Sequence, residues 1–362
     1  MTLHSVSSQQ TDSQRIQAHM AQLPPTTSAV QLVNFSFSFG PDAPKIIQNV
    51  NLEVPRGSTT LLIGANGAGK SSLLRLLAGK TLTKDHIRVL GKHPFFEGNQ
   101  VKCFCRIFIL CMRDYYETEL SFETRQKKLY IYGITYLGTE WAHNPIVRRD
   151  VPVSRLLKTL GAERHQERCS RLLDIMDVNV DWHMHEVSDG QRRRVQIVLG
   201  LMEPWNILLL DEVTVDLDVL VRKDLIDFLK EEATLRNATV IYATHIFDGL
   251  GGWPSHVVHI SEGKIDIVRE IDGPQGFPEL EEMRALTRKA AAEAGVTGGG
   301  SCYEDNSALL RVVERWLRED YKYRSRTSQR TDADGMLMTR WQMLSENMKE
   351  YGDKFYNYWN QN

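Results

Sequence analysis

The chain has 362 residues, 42% of them hydrophobic and 25% charged, with a formal net charge of −2. That length supports one large or two ordinary domains with a full core, and the near-neutral balance argues against a polybasic binder of nucleic acid or anionic membrane. No apolar run approaches the ~20 residues of a membrane span, and the polar N-terminus lacks the apolar segment of a signal peptide. Any membrane domain is therefore expected on another chain. Five cysteines without a CxxC pairing point to reduced thiols in a cytosolic or nuclear setting. Cys103, Cys105 and Cys111 cluster, but no histidine at ligand spacing accompanies them.

Residues 1–28 are polar, contain Pro24-Pro25, and read as a disordered tail. From Val30 the pattern turns to strand, with Leu32, Phe35, Phe37 and Phe39 interleaved with Asn34, Ser36 and Ser38. A Gly40-Pro41-Asp42 turn leads to a second strand-like run from Ile46 to Val54. Phe39 is a candidate to stack on an adenine ring, although a strand aromatic serves equally as a cross-strand partner. After Pro55-Arg56-Gly57 comes an apolar run, Thr59 to Ile63, and then Gly64-Ala65-Asn66-Gly67-Ala68-Gly69-Lys70-Ser71. This is G-x-x-x-x-G-K-S between a strand and the helical run that opens at Ser72, the context a phosphate-binding P-loop requires. Its glycines let backbone N–H groups turn inward around phosphates, and the helix N-terminus adds a positive dipole. Lys70 would reach the β- and γ-phosphates and Ser71 would hold Mg²⁺. These residues predict a nucleotide site.

Beyond a short strand at Ile87 to Leu90, the region from His93 to about Gln126 shows neither period and reads as an insertion. Ile131 to Leu137 restores a strand, and two helical stretches follow, with Val153, Leu156, Leu157 and Leu160 in the first and Glu167 to Met176 as the second. They predict a small helical subdomain at about 150–190. Val187-Ser188-Asp189-Gly190-Gln191 then opens a helix expected to run from Arg192 to about Met202. Ile207 to Asp211 is a buried strand delivering Asp211 and Glu212 at its carboxyl end, where open α/β sheets place ligand chemistry. Asp211 fits the Mg²⁺-holding role beside a P-loop. Glu212, facing the other way, is placed to polarise an attacking water. Val240 to Thr244 is the next strand, and His245 at its end is a candidate sensor of the γ-phosphate.

These elements, in this order, resemble an ATP-binding-cassette ATPase. VSDGQ is similar to that family's LSGGQ signature, Val213 to Asp218 to its D-loop, and Ile260 to Ile265 to the turn after its switch histidine. The resemblance covers about 30–270. It implies an α/β P-loop NTPase fold with an antiparallel β subdomain and a helical subdomain, and Mg-ATP hydrolysis in a head-to-tail homodimer. Ser188, Gly190 and Gln191 of one copy would close on ATP held by Gly64 to Ser72 of the other, and Asp218 would bridge the copies. Asp189 replaces a glycine of the signature and brings a carboxylate toward phosphate, which implies slow turnover unless the charge is turned away or caps the helix. The family's glutamine after the middle strand is absent; Tyr136-Leu137-Gly138-Thr139-Glu140-Trp141 takes its place, with Thr139 and Glu140 as alternative substitutes. That loop couples ATP to membrane domains in transporters, so its change weighs against transport.

YLGTEW, DEVTVDLD and YATHIFDGL further resemble a narrower group of soluble, non-transporter ABC proteins of eukaryotes associated with the carbon-catabolite-repression–NOT transcription and deadenylation complex, together with plant I-type relatives. From about 271 the chain reads as a linker and helical extension. Glu279 to Ala294 suits a charged helix, Gly295 to Ser301 a flexible linker, and Leu309, Leu310, Val313, Trp316 and Leu317 an amphipathic helix. Leu337, Trp341, Leu344, Met348, Tyr351 and Phe355 continue at similar intervals. These helices either pack back on the cassette or dock subunits of a transcription or mRNA-decay complex. The basic stretch from Lys322 to Arg330 reads as a solvated segment, so no direct nucleic-acid contact is expected.

Overall fold

The computed structural model describes residues 28–327 apart from 42, 84–85, 97–100, 104–132, 144, 272–276 and 294–300. The expected N-terminal tail up to residue 27, most of the insertion, residues 295–300 of the linker and the last apolar stripe lie outside the described residues, while Ser28 and Ser301 each begin an element. Two compact units divide the chain between Val312 and Val313.

The first unit is built on a seven-stranded sheet. Its strands run in the order β10 (Lys264–Glu270), β9 (His256–Ser261), β3 (Thr59–Ile63), β8 (Thr239–Ala243), β7 (Ile207–Asp211), β6 (Ile134–Leu137) and β5 (Val101–Cys103). Every pair from β9 to β5 is parallel, and only β10 runs antiparallel to its neighbour. Strands covered on both faces have no polar side, which is why β3, β7 and β8 are buried at every position. A second, antiparallel sheet holds β2 (Ile47–Pro55), β1 (Ser28–Phe37) and β4 (Ile87–Val89), in that order. In β2, Val50, Leu52 and Val54 are buried while the residues between them are exposed, so this sheet has one dry face.

Between the sheets lies α1 (Lys70–Leu77), with Leu73, Leu74, Leu76 and Leu77 all buried in a core shared with Leu32, Phe35, Ile87, Ile134, Ile207 and Ile260. The P-loop helix is thus clamped on two sides. The strand order also sets β3 between β8 and β9, with β7 and β6 beside them. Asp211 pairs with Ala243 and Leu62 pairs with Ala243 in register, so the carboxyl ends of β3, β7 and β8 come level.

The helical subdomain contains α2 (Val153–Thr159), α3 (Gln166–Ile175) and α4 (Asp189–Leu201). α3 is tied to α5 (Val219–Arg236) by a 2.6 Å ion pair from Arg168 to the buried Glu232, which Arg236 also contacts. α6 (Pro278–Glu293) is the charged helix expected after the cassette. In α7 (Ser301–Thr327), Leu309, Val313, Trp316 and Asp320 are buried at helical spacing, whereas Leu310 is exposed.

Two expectations change. The 93–126 segment is not without regular structure: β5 extends the sheet beside β6, and three residues are too few to show an alternating pattern. α4 starts at Asp189, not Arg192, because Ser188 is its N-cap and Asp189 to Gln191 form its first turn. The turn expected at Ile260 to Ile265 is present, as a hairpin into β10, whose side chains are alternately exposed and half-buried. Its turn residues Glu262 and Gly263 both have positive φ, the requirement of a type I′ connection.

Candidate functional site

The site is assembled at the level edge formed by β3, β7 and β8. The P-loop leaves β3 at Gly64, and α1 starts from Gly69 as its N-cap. A Cβ at Gly64 would lie 2.3 Å from the carbonyl of Ile260, and Gly69 sits at φ 109°, a left-handed conformation that side chains resist. Asn66 and Gly67 form the exposed tip, Ala68 is buried beneath it, and Ala65 and Ser72 are half-buried. Lys70 is buried, and its Nζ donates to the carbonyls of Gly64 at 2.7 Å and Ala65 at 3.2 Å. The ammonium is therefore held over the mouth of its own loop, in reach of a phosphate chain cradled there.

Asp211 ends β7 with both carboxylate oxygens engaged. Ser71 Oγ donates to Oδ1 at 3.0 Å, and Tyr136 Oη donates to Oδ2 at 3.1 Å. Burial pushes the Asp211 carboxyl above the usual range, against the hydrogen bonds from Ser71 and Tyr136. A buried carboxylate beside a hydroxyl is a set of hard oxygen donors, and it fits Mg²⁺. Glu212, with φ 53°, breaks from the strand and turns its carboxylate the other way, 2.7 Å from His245 Nε2. Its backbone N–H is held by the carbonyl of Ala243, at the end of β8. The structure thus brings Lys70, Ser71, Asp211, Glu212 and His245 to one edge from three parallel strands.

Tyr136 joins this group without a motif of its own. The register of β6 and β7 sets it opposite Leu209, and Leu209 shares a face with Asp211 two residues on. A tyrosine is long enough to reach that carboxylate. Burial raises the Tyr136 phenol well above its ordinary range, so it stays protonated and donates. Its only signal in the chain is a period-2 match between neighbouring strands, which has meaning once their register is fixed. Glu140 does not face Asp211; it pairs with Arg75 at 2.5 Å and Lys80 at 3.0 Å, while Lys80 also lies 4.6 Å over the Tyr136 ring. With Trp141 buried, the loop after β6 is fastened to the P-loop helix.

Removing the Tyr136 hydroxyl forfeits a hydrogen bond to a charged group, about 1.5–3 kcal/mol. Tyr136→Phe is expected to raise the Mg²⁺ concentration for half-maximal turnover by about tenfold or more. Nucleotide binding measured in EDTA should be unchanged. An unaltered Mg²⁺ profile would remove Tyr136 from the site.

The signature segment is engaged locally. Ser188 and Gln191 form a reciprocal capping box: Gln191 N–H donates to Ser188 Oγ at 3.2 Å, and Ser188 N–H to Gln191 Oε1 at 2.9 Å. Asp189 is met by the buried Arg192 and, at 3.4 Å, by Arg148, so its charge is countered within the chain. Gly190 runs close under the D-loop, where an added Cβ would come within 3.3 Å of the Asp216 carbonyl. Asp218 caps α5 by accepting from Val221 N–H at 3.0 Å and pairs with Arg194 at 2.7 Å. Phe39 is 63% exposed, and its ring makes a T-shaped contact with Phe37 at 5.1 Å between centroids.

A family model described as ABC transporter matches residues 47–215. CCR4-associated factor 16 of Saccharomyces cerevisiae is 45% identical over 303 residues, spanning 81% of this chain and 95% of that protein. The chain belongs to the ATP-binding-cassette family. ATP hydrolysis is the activity of this cassette, and ABC ATPases bind ATP, usually with Mg²⁺. ABC transporter I family member 21 of Arabidopsis thaliana is 35% identical over 322 residues, 87% of this chain and 95% of that one. Among solved structures, an ATP-binding subunit of an ABC transporter superposes with a TM-score of 0.54 at 16% identity, covering 80% of this chain and 100% of its own. CbiO1 from Clostridium perfringens gives 0.51 at 19% identity, with 74% and 96% covered. Both likenesses concern the fold alone. Among the described residues of this ABC chain, no helix is long and apolar enough to cross a membrane.

Proposed function

We propose that this ABC ATPase works as an ATP-gated regulatory subunit, with two copies closing head to tail on Mg-ATP. Lys70 and the P-loop amides bind the phosphate chain, and the exposed Phe39 ring receives the adenine. Mg²⁺ bound through Ser71 and Asp211 would neutralise charge on the β- and γ-phosphates. Glu212 accepts the proton of the attacking water, and His245, 2.7 Å from it, orients that carboxylate and reaches the γ-phosphate. Ser188, Gly190 and Gln191 of the second copy offer a capped helix start to the same phosphate, with Asp189 held back by Arg192 and Arg148. Asp218 caps α5 and pairs with Arg194 within its own chain, and at the head-to-tail interface it would bridge the two copies.

The observation that carries the regulatory reading is the loop after β6. It has no glutamine, and its exposed Glu140 is engaged by Arg75 and Lys80 of its own cassette. The naming of the yeast relative as a CCR4-associated factor supports a link to a transcription or mRNA-deadenylation assembly, with a cytoplasmic or nuclear site of action. The buried and exposed stripes of α7 make the C-terminal extension the docking candidate. The plant relatives, named as ABC transporter I family members, favour a second reading as the engine of a separate membrane subunit. Isolation of the native protein in mild detergent with ATP separates the two. Transcription or mRNA-decay subunits are the expected companions, and a multispanning membrane protein would overturn the regulatory reading. The dimer is tested by sedimentation of Glu212→Gln with and without ATP, where a monomer under both conditions would refute closure of two copies.

A further inference from the structure

Away from the nucleotide edge, two histidines and an aspartate converge just ahead of the signature. The segment before α2 and the segment before α4 are joined as a short antiparallel bridge between Pro152 and His183. Met184 N–H donates to the Val151 carbonyl at 3.0 Å, and Val153 N–H to the Trp182 carbonyl at 2.8 Å. Beyond the bridge the chain turns, Glu186 N–H donating to the His183 carbonyl at 3.0 Å, and this turn buries Met184 while His183 is left half-buried and His185 exposed. Across the bridge, Asp150 Oδ1 lies 2.5 Å from His183 Nδ1 and 3.2 Å from His185 Nδ1. The two rings stand at 88° with centroids 5.9 Å apart, and the three ligand atoms lie within 4.8 Å of one another.

His185 has a second carboxylate at its other nitrogen: Glu186 Oε1 is 3.4 Å from Nε2. A neutral imidazole has one N–H to offer. When Nε2–H is directed at Glu186, the Nδ1 lone pair faces Asp150, an arrangement that a cation between them satisfies. Two imidazole nitrogens and one carboxylate, with the fourth position open to water, are a donor set suited to zinc and its neighbours rather than to Mg²⁺.

We propose that Asp150, His183 and His185 form a binding site for a zinc-class divalent cation, with Glu186 orienting His185. Zinc takes such ligands at about 2.0–2.2 Å, so the exposed side chains open slightly around the ion. The bound ion staples the 150–152 segment to the 183–185 segment, three residues ahead of Ser188. That position links ion binding to the stiffness of the signature subdomain, a consequence distinct from Mg²⁺ at Asp211.

Titration of the full-length protein with Co²⁺, followed by its visible absorption, and with Zn²⁺ by calorimetry, tests the site. One saturable ion per chain with a nitrogen–oxygen spectrum is expected. His183→Ala/His185→Ala should abolish it and Glu186→Gln should weaken it by about 10–100-fold. Circular dichroism of the variants establishes that they remain folded, since the replaced side chains are solvent-facing. Sulfur-to-cobalt charge-transfer bands, which would assign the ion to cysteines, overturn the proposal. So does a Zn²⁺ titration that is the same for wild type and the double variant, or no saturable binding at all.

Discussion

Glutamine at position 212 will lower ATP turnover by about 10²–10⁴-fold, the range for loss of general-base assistance. Gln matches Glu in volume and keeps a polar atom facing His245, so the contact is retained and the site is not reshaped. What disappears is the group able to take a proton from water. ATP binding should persist, because the loop carbonyls that hold Lys70 and the bonds from Ser71 and Tyr136 to Asp211 are left in place. Phosphate release in a single turnover and binding of a fluorescent ATP analogue read the two effects separately. Equal phosphate release from wild type and variant would mean that Glu212 does no chemistry and that the chain serves as a nucleotide-dependent scaffold.

The second large effect falls on binding. Lys70→Ala removes a buried cation aimed at the loop that cradles phosphate, a loss of about 2–5 kcal/mol for a buried charged contact. ATP affinity should therefore fall by roughly 30- to 5,000-fold at 25 °C. Lys70 also donates to the Gly64 and Ala65 carbonyls, so its loss can loosen the loop itself. Lys70→Met keeps the alkyl packing without the charge, and a matched melting temperature with the same loss of affinity assigns the effect to the ammonium. Retained tight binding in both variants would refute the P-loop assignment.

Much of this site is legible in the sequence. A P-loop is a contiguous run whose chemistry is backbone-based, so Gly64 to Ser71 declare it locally, and the apolar Ile207 to Leu210 ahead of Asp211 mark a buried strand with acids at its end. α2, α3 and α6 are readable from apolar spacing to within a residue or two. β5 is not, because three residues at a sheet edge carry no period. Tyr136 escapes a sequence reading for a different reason. The absent glutamine directs attention to the loop at Thr139 and Glu140, whereas the group that reaches Asp211 comes from the strand ahead of that loop.

The chain order of chemistry, then, is written in the sequence: a loop that binds phosphate, an acid pair, a histidine at a strand end, and the resemblance these carry together. Local motifs suffice for that because their residues are neighbours along the backbone. Which of them meet was decided by the tertiary structure. Strand order set β3 beside β8 and β8 beside β7, and register joined Ser71 to an aspartate 140 residues away and Tyr136 to the same carboxylate from the other side. The fate of Asp189 was decided in the same way. In the sequence it is a charge set among phosphate-binding residues. In the fold, Arg192 one turn on and Arg148 from another segment counter it, because helix geometry and packing bring guanidinium groups to a position that no contiguous motif records.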